Sequence, residues 1–140
     1  MNARRVSVSE GRSLARSVEV GPHLLTADEH EPTGTDTGPT PGELLLAALG
    51  SCTSTAVRAC ADRHGLPLDR VDVVVRFDPQ GQIIRSIRLT GDLNPVQINQ
   101  LLVVAGRCPV QRLLTREAAV VTVPTVAARS SASRSQSPPQ

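Results

Sequence analysis

The chain is 140 residues long and 39% hydrophobic, enough for one packed domain or one domain with a tail. With one Phe, no Tyr and no Trp, its core must be aliphatic, and it lacks the aromatic platforms on which nucleobases stack. A net charge of +2, with all 15 basic residues scattered arginines, leaves no electrostatic footprint for DNA or RNA.

The first residues, Met1 to Ser7, lack the apolar stretch of a secretory signal. No apolar run reads as a membrane span. The expected compartment is the cytoplasm, where three cysteines do not make a permanent disulfide framework. Each is then a small buried hydrophobe or a working thiol.

Val6 to Val8, Leu14 to Val20 and His23 to Ala27 read as three short strands, the last two parted by a Gly21-Pro22 turn. Asp28 to Pro41 is dense in Glu, Thr, Gly and Pro and reads as loop, with His23 and His30 ordinary surface residues. Thr40-Pro41-Gly42-Glu43 then places Thr at a helix N-cap, Pro at the first helical position and Glu three residues after the cap. The helix runs to about His64, where Gly65 and Pro67 end it. Its first half is apolar all round, which predicts burial on every side.

Alternation over Val71 to Asp78 and again over Ile83 to Thr90, around Pro79-Gln80-Gly81, predicts a hairpin. Asn94-Pro95 opens a second helix ending at Gly106, and Cys108-Pro109 opens a short third helix. Ala118 to Val123 reads as a final strand, and 125–140, rich in Ser, Ala, Arg, Pro and Gln, as a disordered tail. The domain is therefore placed at 1–124. Strands, one buried helix, a hairpin, two helices and a strand predict an α+β fold.

Cys52 falls mid-helix in Gly50-Ser51-Cys52-Thr53-Ser54, whose small side chains permit close approach. Cys60 lies about 80° further round an ideal helix, near its exposed end. Cys108 precedes Pro109 at a helix start, where backbone N–H groups favour a thiolate. A cysteine in an apolar helix is most often plain core, and that reading stands beside the reactive one for Cys52. Cys60 and His64 sit four apart on one helix face, but no second pair joins them, so no metal site is expected.

The stretch Gly34 to Thr53, with Pro39-Thr40-Pro41-Gly42-Glu43-Leu44-Leu45-Leu46-Ala47-Ala48-Leu49-Gly50-Ser51-Cys52 at its centre, resembles the central-helix signature of the OsmC/Ohr family. Ala61 to Leu68 is similar to that family's helix exit, and Arg107-Cys108-Pro109-Val110-Gln111-Arg112-Leu113-Leu114 to its second cysteine motif. The resemblance spans Val6 to Pro124. It implies antiparallel sheets packed around a long buried helix, in an intertwined homodimer with two active sites at the interface.

The resemblance also implies a thiol-dependent peroxidase. Cys52 would attack an organic or inorganic hydroperoxide and become a sulfenic acid, and Cys108 would trap it as a disulfide. A dithiol or lipoylated protein would then restore both thiols, with no cofactor or metal. The family supplies an Arg from the N-terminal strands, held by a Glu. Arg16 is the candidate cation here, with Arg12 and Arg112 as alternatives. The family's Glu precedes the Cys by ten residues, where this chain has Gly42, and Glu43 lies about 180° around the helix from Cys52. Glu43 is thus either an active-site partner, reaching across a dimer, or the helix cap. Gln111 stands where relatives often have His. Two other readings share this fold: a non-catalytic module holding a small apolar ligand, and a thiol redox sensor.

Overall fold

The computed structural model describes residues 2–116 and 118–127. The fold has two antiparallel sheets and one long helix, and the second sheet packs on that helix. β1 (Val6–Glu10), β2 (Arg16–Val20) and β3 (His23–Ala27) form a three-stranded meander in the order β1-β2-β3. β2 is central, its Val18 opposite Val8 on one side and Leu25 on the other. β4 (Leu68–Phe77) and β5 (Ile83–Gly91) form a hairpin with Val73 opposite Ile87 and Val75 opposite Arg85. Its turn is built by Asp78, whose Oδ1 accepts the N–H groups of Gln80 (2.9 Å) and Gln82 (2.8 Å). Gly81 supplies the positive φ, +82°, that closes the turn.

The loop from Asp28 to Thr40 is organised around one buried carboxylate. Asp28 Oδ2 accepts the hydroxyls of Thr35 and Thr37, both at 2.7 Å, and Oδ1 accepts Glu29 N–H at 2.8 Å. These donors, the two hydroxyls foremost, hold the Asp28 carboxyl well below the usual carboxylate range against the opposing effect of burial.

α1 (Pro41–Arg63) starts where the capping pattern predicts. Thr40 Oγ1 accepts Glu43 N–H at 3.1 Å, and Glu43 Oε1 accepts Thr40 N–H at 2.8 Å. The helix buries a single stripe of Leu49, Thr53, Val57, Cys60 and Ala61, the spacing of one helical face. That stripe packs on β4, on α2 (Pro95–Ala105) and on α3 (Pro109–Leu114). The core is small and aliphatic: Val57, Cys60, Ala61, Leu68, Leu101 and Ala105, flanked by Leu66, Val71, Ile87, Leu89, Leu93 and Val104.

At 23 residues α1 also has the length and apolar composition of a membrane-crossing helix, which the sequence reading had not credited to any segment. Its apolar stripe is instead occupied by the core of this domain.

Two expectations fail within one chain. The first half of α1 is not buried all round: Leu45 is 40% exposed, and Ala47, Ala48 and Ser51 also face outward. Among the described residues, nothing covers Leu45, Ala48 and their exposed neighbours. Nor do residues 118–123 form a strand: they have no regular structure, and Val120, Val121 and Val123 are more than 80% exposed. A strand needs a partner edge for its backbone groups, and this segment pairs with none in the described residues. Of the tail placed at 125–140, residues 128–140 lie outside the described residues.

Candidate active site

Cys52 and Cys108 meet where α1 packs against α3. Cys52 projects half-buried from the middle of α1, next to the buried stripe. Cys108 is 1% exposed and is the N-cap of α3, its Sγ accepting Gln111 N–H at 3.4 Å. Pro109 follows at the first helical position, where its missing N–H costs nothing. The two thiols interact with each other, and Val110 N–H points to the Cys52 sulfur. All three cysteines are free thiols.

The electrostatics of Cys52 are those of a sheltered thiol. Burial pushes its pKa up, Val110 N–H works the other way, and the neighbouring Cys108 adds to the rise. Among the described residues, Val110 N–H is what favours its thiolate, not a basic side chain. Arg16, on β2, donates to Ser13 O (3.1 Å) and Ala15 O (2.8 Å) and approaches Glu10 at 4.0 Å. Glu43 completes the α1 capping box and meets His30 Nε2 at 3.2 Å. Thr40, through its N–H and then its hydroxyl, holds the Glu43 carboxyl below its ordinary value, with a smaller contribution from His30. The hydrogen bonds and ion pairs of Arg16 and Glu43 go to residues other than Cys52.

One cation reaches toward the cysteine pair through Thr53: Arg85, to which the sequence assigns no role. Its Nη1 donates to Thr53 Oγ1 (3.0 Å) and to Ala105 O at the end of α2 (3.2 Å). Thr53 is fully buried, donates to Leu49 O at 2.7 Å, and holds its Oγ1 4.0 Å from Cys108 Sγ. One signal was visible. Arg85 occupies the half-buried register of β5 with Ile83, Ile87 and Leu89, where an arginine requires a polar partner.

A cavity of about 330 Å3 opens beside this cluster, lined by Leu49, Ile83, Arg85, Gln111, Leu114 and Thr115. Gln111 Oε1 is buried there with no hydrogen-bond partner among the described residues. A wider groove of about 750 Å3 runs along the outward side of α1 over β4, where Gly50 lets Val75 approach, and includes neither cysteine.

Cys60 packs in the core with Val57 and Leu101. His64 Nδ1 faces Gln100 Nε2 at 3.4 Å. No group of three metal-ligating side chains occurs among the described residues.

No curated protein matches the sequence. Solved structures do match the fold. An OsmC-like protein from Mycoplasma pneumoniae superposes with a TM-score of 0.68 at 15% identity, covering 81% of this chain and 87% of that one. An organic hydroperoxide resistance protein OsmC from Legionella pneumophila gives 0.59 at 20% identity, over 82% and 90%. The organic hydroperoxide resistance protein OhrB of Bacillus subtilis gives 0.52 at 21%, over 81% and 91%. At these identities the likeness concerns the fold. The family model for OsmC-like protein matches residues 34–123, which include the Asp28-anchored loop's end, α1, the hairpin and both facing cysteines. The chain belongs to the OsmC-like protein family.

Proposed function

We propose that this protein is a thiol-dependent peroxidase of oxidative-stress defence, with Cys52 as nucleophile and Cys108 as resolving thiol. The observation that carries this reading is the meeting of two free thiols, 56 positions apart in sequence (108 − 52), at the α1–α3 contact. The Cys52 thiolate attacks one oxygen of the hydroperoxide. The O–O bond breaks, the alkoxide leaves and takes a proton as alcohol, and Cys52 becomes a sulfenic acid. The Cys108 sulfur then attacks that sulfenic sulfur, water leaves, and the disulfide forms. A dithiol, free or as a lipoylated protein, returns two electrons and two protons. Hydroperoxide resistance in the names of the Legionella and Bacillus fold relatives agrees with this reading.

The same proposal includes a homodimer in the cytoplasm. The outward apolar half of α1 and the exposed valines of 120–126 await cover, and a second copy is the occupant the reading assigns. In that assembly Arg16 and Glu43 are the candidates to reach a Cys52, Glu43 from across the interface.

The test is hydroperoxide consumption with a dithiol donor. Cys52→Ser abolishes it, and Cys108→Ser permits one oxidation and then stalls as Cys52 over-oxidises, read by mass spectrometry. Unchanged turnover in Cys52→Ser eliminates the proposal. The raised Cys52 pKa favours one second reading, a ligand-binding module with sheltered thiols. Uniformly slow alkylation of Cys52 and Cys108 in the folded protein, without peroxide turnover, selects it. One peroxide consumed per chain with no turnover on any dithiol selects a redox sensor instead.

A further inference from the structure

The proposed cycle has two halves, and the groups around the two sulfurs differ. Around Cys52 the structure offers burial and one backbone N–H. Around Cys108 it offers Gln111 N–H, the Thr53 hydroxyl and, through that hydroxyl, a guanidinium. We propose that Arg85 and Thr53 are positioning residues for Cys108, arranged to receive the negative charge that sulfur acquires when the disulfide is reduced.

The inference rests on the Cys52–Cys108 disulfide of the proposed function. In the reductive half, a thiolate of the dithiol attacks Cys52 Sγ. The S–S bond breaks, its electron pair goes to Cys108 Sγ, and Cys108 leaves as thiolate. The second thiol of the donor, deprotonated, then attacks the donor sulfur of the mixed disulfide and expels the Cys52 thiolate. The donor ends as a disulfide, and its two protons end on Cys52 and Cys108. The rate of the first exchange depends on how well the leaving sulfur bears charge.

The geometry suits that moment. In the resting protein Thr53 Oγ1 accepts from Arg85 and donates to Leu49 O, a carbonyl already inside the α1 hydrogen-bond ladder. A hydroxyl has one donor and two acceptor positions. Rotating about its C–O bond, it can release Leu49 O, whose helical bond remains, and donate to Cys108 Sγ 4.0 Å away. Arg85 keeps the oxygen polarised throughout. Because Thr53 is fully buried, this charge-assisted link acts in a low-dielectric setting, where it is stronger than at a surface. Ala105 O at the α2 C-terminus holds the same Nη1 in place, so the guanidinium need not reorganise.

A purely structural role predicts something else. Arg85 would then tie β5 to α1 and α2, and its loss would weaken folding and both half-reactions alike. The two are separated by forming the disulfide with the two-electron oxidant diamide, which does not depend on hydroperoxide chemistry, and timing its reduction by dihydrolipoate in stopped flow. Thermal melts are recorded alongside. Arg85→Met is expected to slow reduction about tenfold, the scale of one lost hydrogen bond to a charged group, and to slow it more than it slows oxidation of Cys52. Arg85→Lys recovers most of the rate. Thr53→Val, which keeps the shape and the guanidinium, slows reduction as much as Arg85→Met, and Thr53→Ser is close to the unmodified chain.

Reduction of Arg85→Met or Thr53→Val at the unmodified rate overturns the assignment, as does a Lys variant no better than Met. Failure of diamide to join Cys52 to Cys108 overturns it together with the peroxidase reading. A diamide disulfide with the expected variant rates, beside no reaction with any hydroperoxide, removes the peroxidase reading and leaves the roles of Arg85 and Thr53 standing.

Discussion

Cys52, the nucleophile of the proposed function, is a thiol that its own chain does little to activate. Burial and the Cys108 thiol both favour the neutral form, and Val110 N–H alone opposes them. A pKa raised above the ordinary thiol value leaves a smaller thiolate fraction at neutral pH, and that fraction grows about tenfold per pH unit until the pKa is reached. For the thiol as its own chain surrounds it, alkylation of Cys52, followed site by site by mass spectrometry, should therefore rise about tenfold from pH 7 to pH 8 with no plateau. A plateau already reached by pH 7 would show that a cation from outside the chain acts on this sulfur. Asp28 carries the opposite sign. Its folded-state pKa is depressed by the Thr35 and Thr37 hydroxyls, so it contributes stability above the unfolded carboxylate value of about 4 and loses it as pH falls below that. Asp28→Asn should lower the melting temperature at pH 7 and flatten the acid limb of the melting-temperature profile between about pH 4 and pH 2.

At the scale of elements, α1 is the scaffold of the site, and its N-terminus can be tested apart from its chemistry. Thr40→Ala removes the cap and should destabilise the protein by about 1 kcal/mol in urea unfolding. Glu43→Gln should leave the urea unfolding curve close to that of the unmodified chain, because Gln serves in a capping box as Glu does. A fall in peroxide turnover in that variant at unchanged stability would assign the Glu43 carboxylate a charge role beyond the cap. These elements were legible because their signals are local. Thr40, Pro41 and Glu43 are spaced as a cap requires, Pro79-Gln80-Gly81 marks the hairpin, and Asn94-Pro95 opens α2. The long-range parts were less so. Periodicity put Arg85 on the inward face of β5, but which oxygen it would find depends on packing between elements, and spacing does not encode that. The facing of Cys52 and Cys108 came from resemblance to a family, not from any count of residues. The strand expected at Ala118–Val123 shows the same limit: apolar composition marks a segment that needs a partner without saying on which chain the partner lies.

For the whole molecule, the described chain is covered unevenly. The core cluster around Leu101 closes one side of α1, and Leu101→Ala there should cost about 2–5 kcal/mol, since a fully buried leucine is replaced by a void. The other side is open. Leu45, at 40% exposure, stands beside outward Ala47, Ala48 and Ser51, and Val6, Val8, Leu24 and Leu25 of the first sheet are about half exposed or more. Apolar surface left on this scale in a small domain is what the proposed homodimer would cover. The small Ala47, Ala48 and Ser51 on the open side would let a second helix approach closely. A homodimer follows as the expected solution state, with a mass by light scattering of twice the chain. Leu45→Glu places a charge in the middle of that surface while touching neither the core cluster nor the cysteine pair. It should shift the protein toward monomer on dilution. Because Arg16 and Glu43 do not serve Cys52 of their own chain, the monomeric variant should also lose peroxide turnover while Cys52 stays alkylatable. Full turnover in a demonstrated monomer would mean that one chain holds everything the chemistry uses.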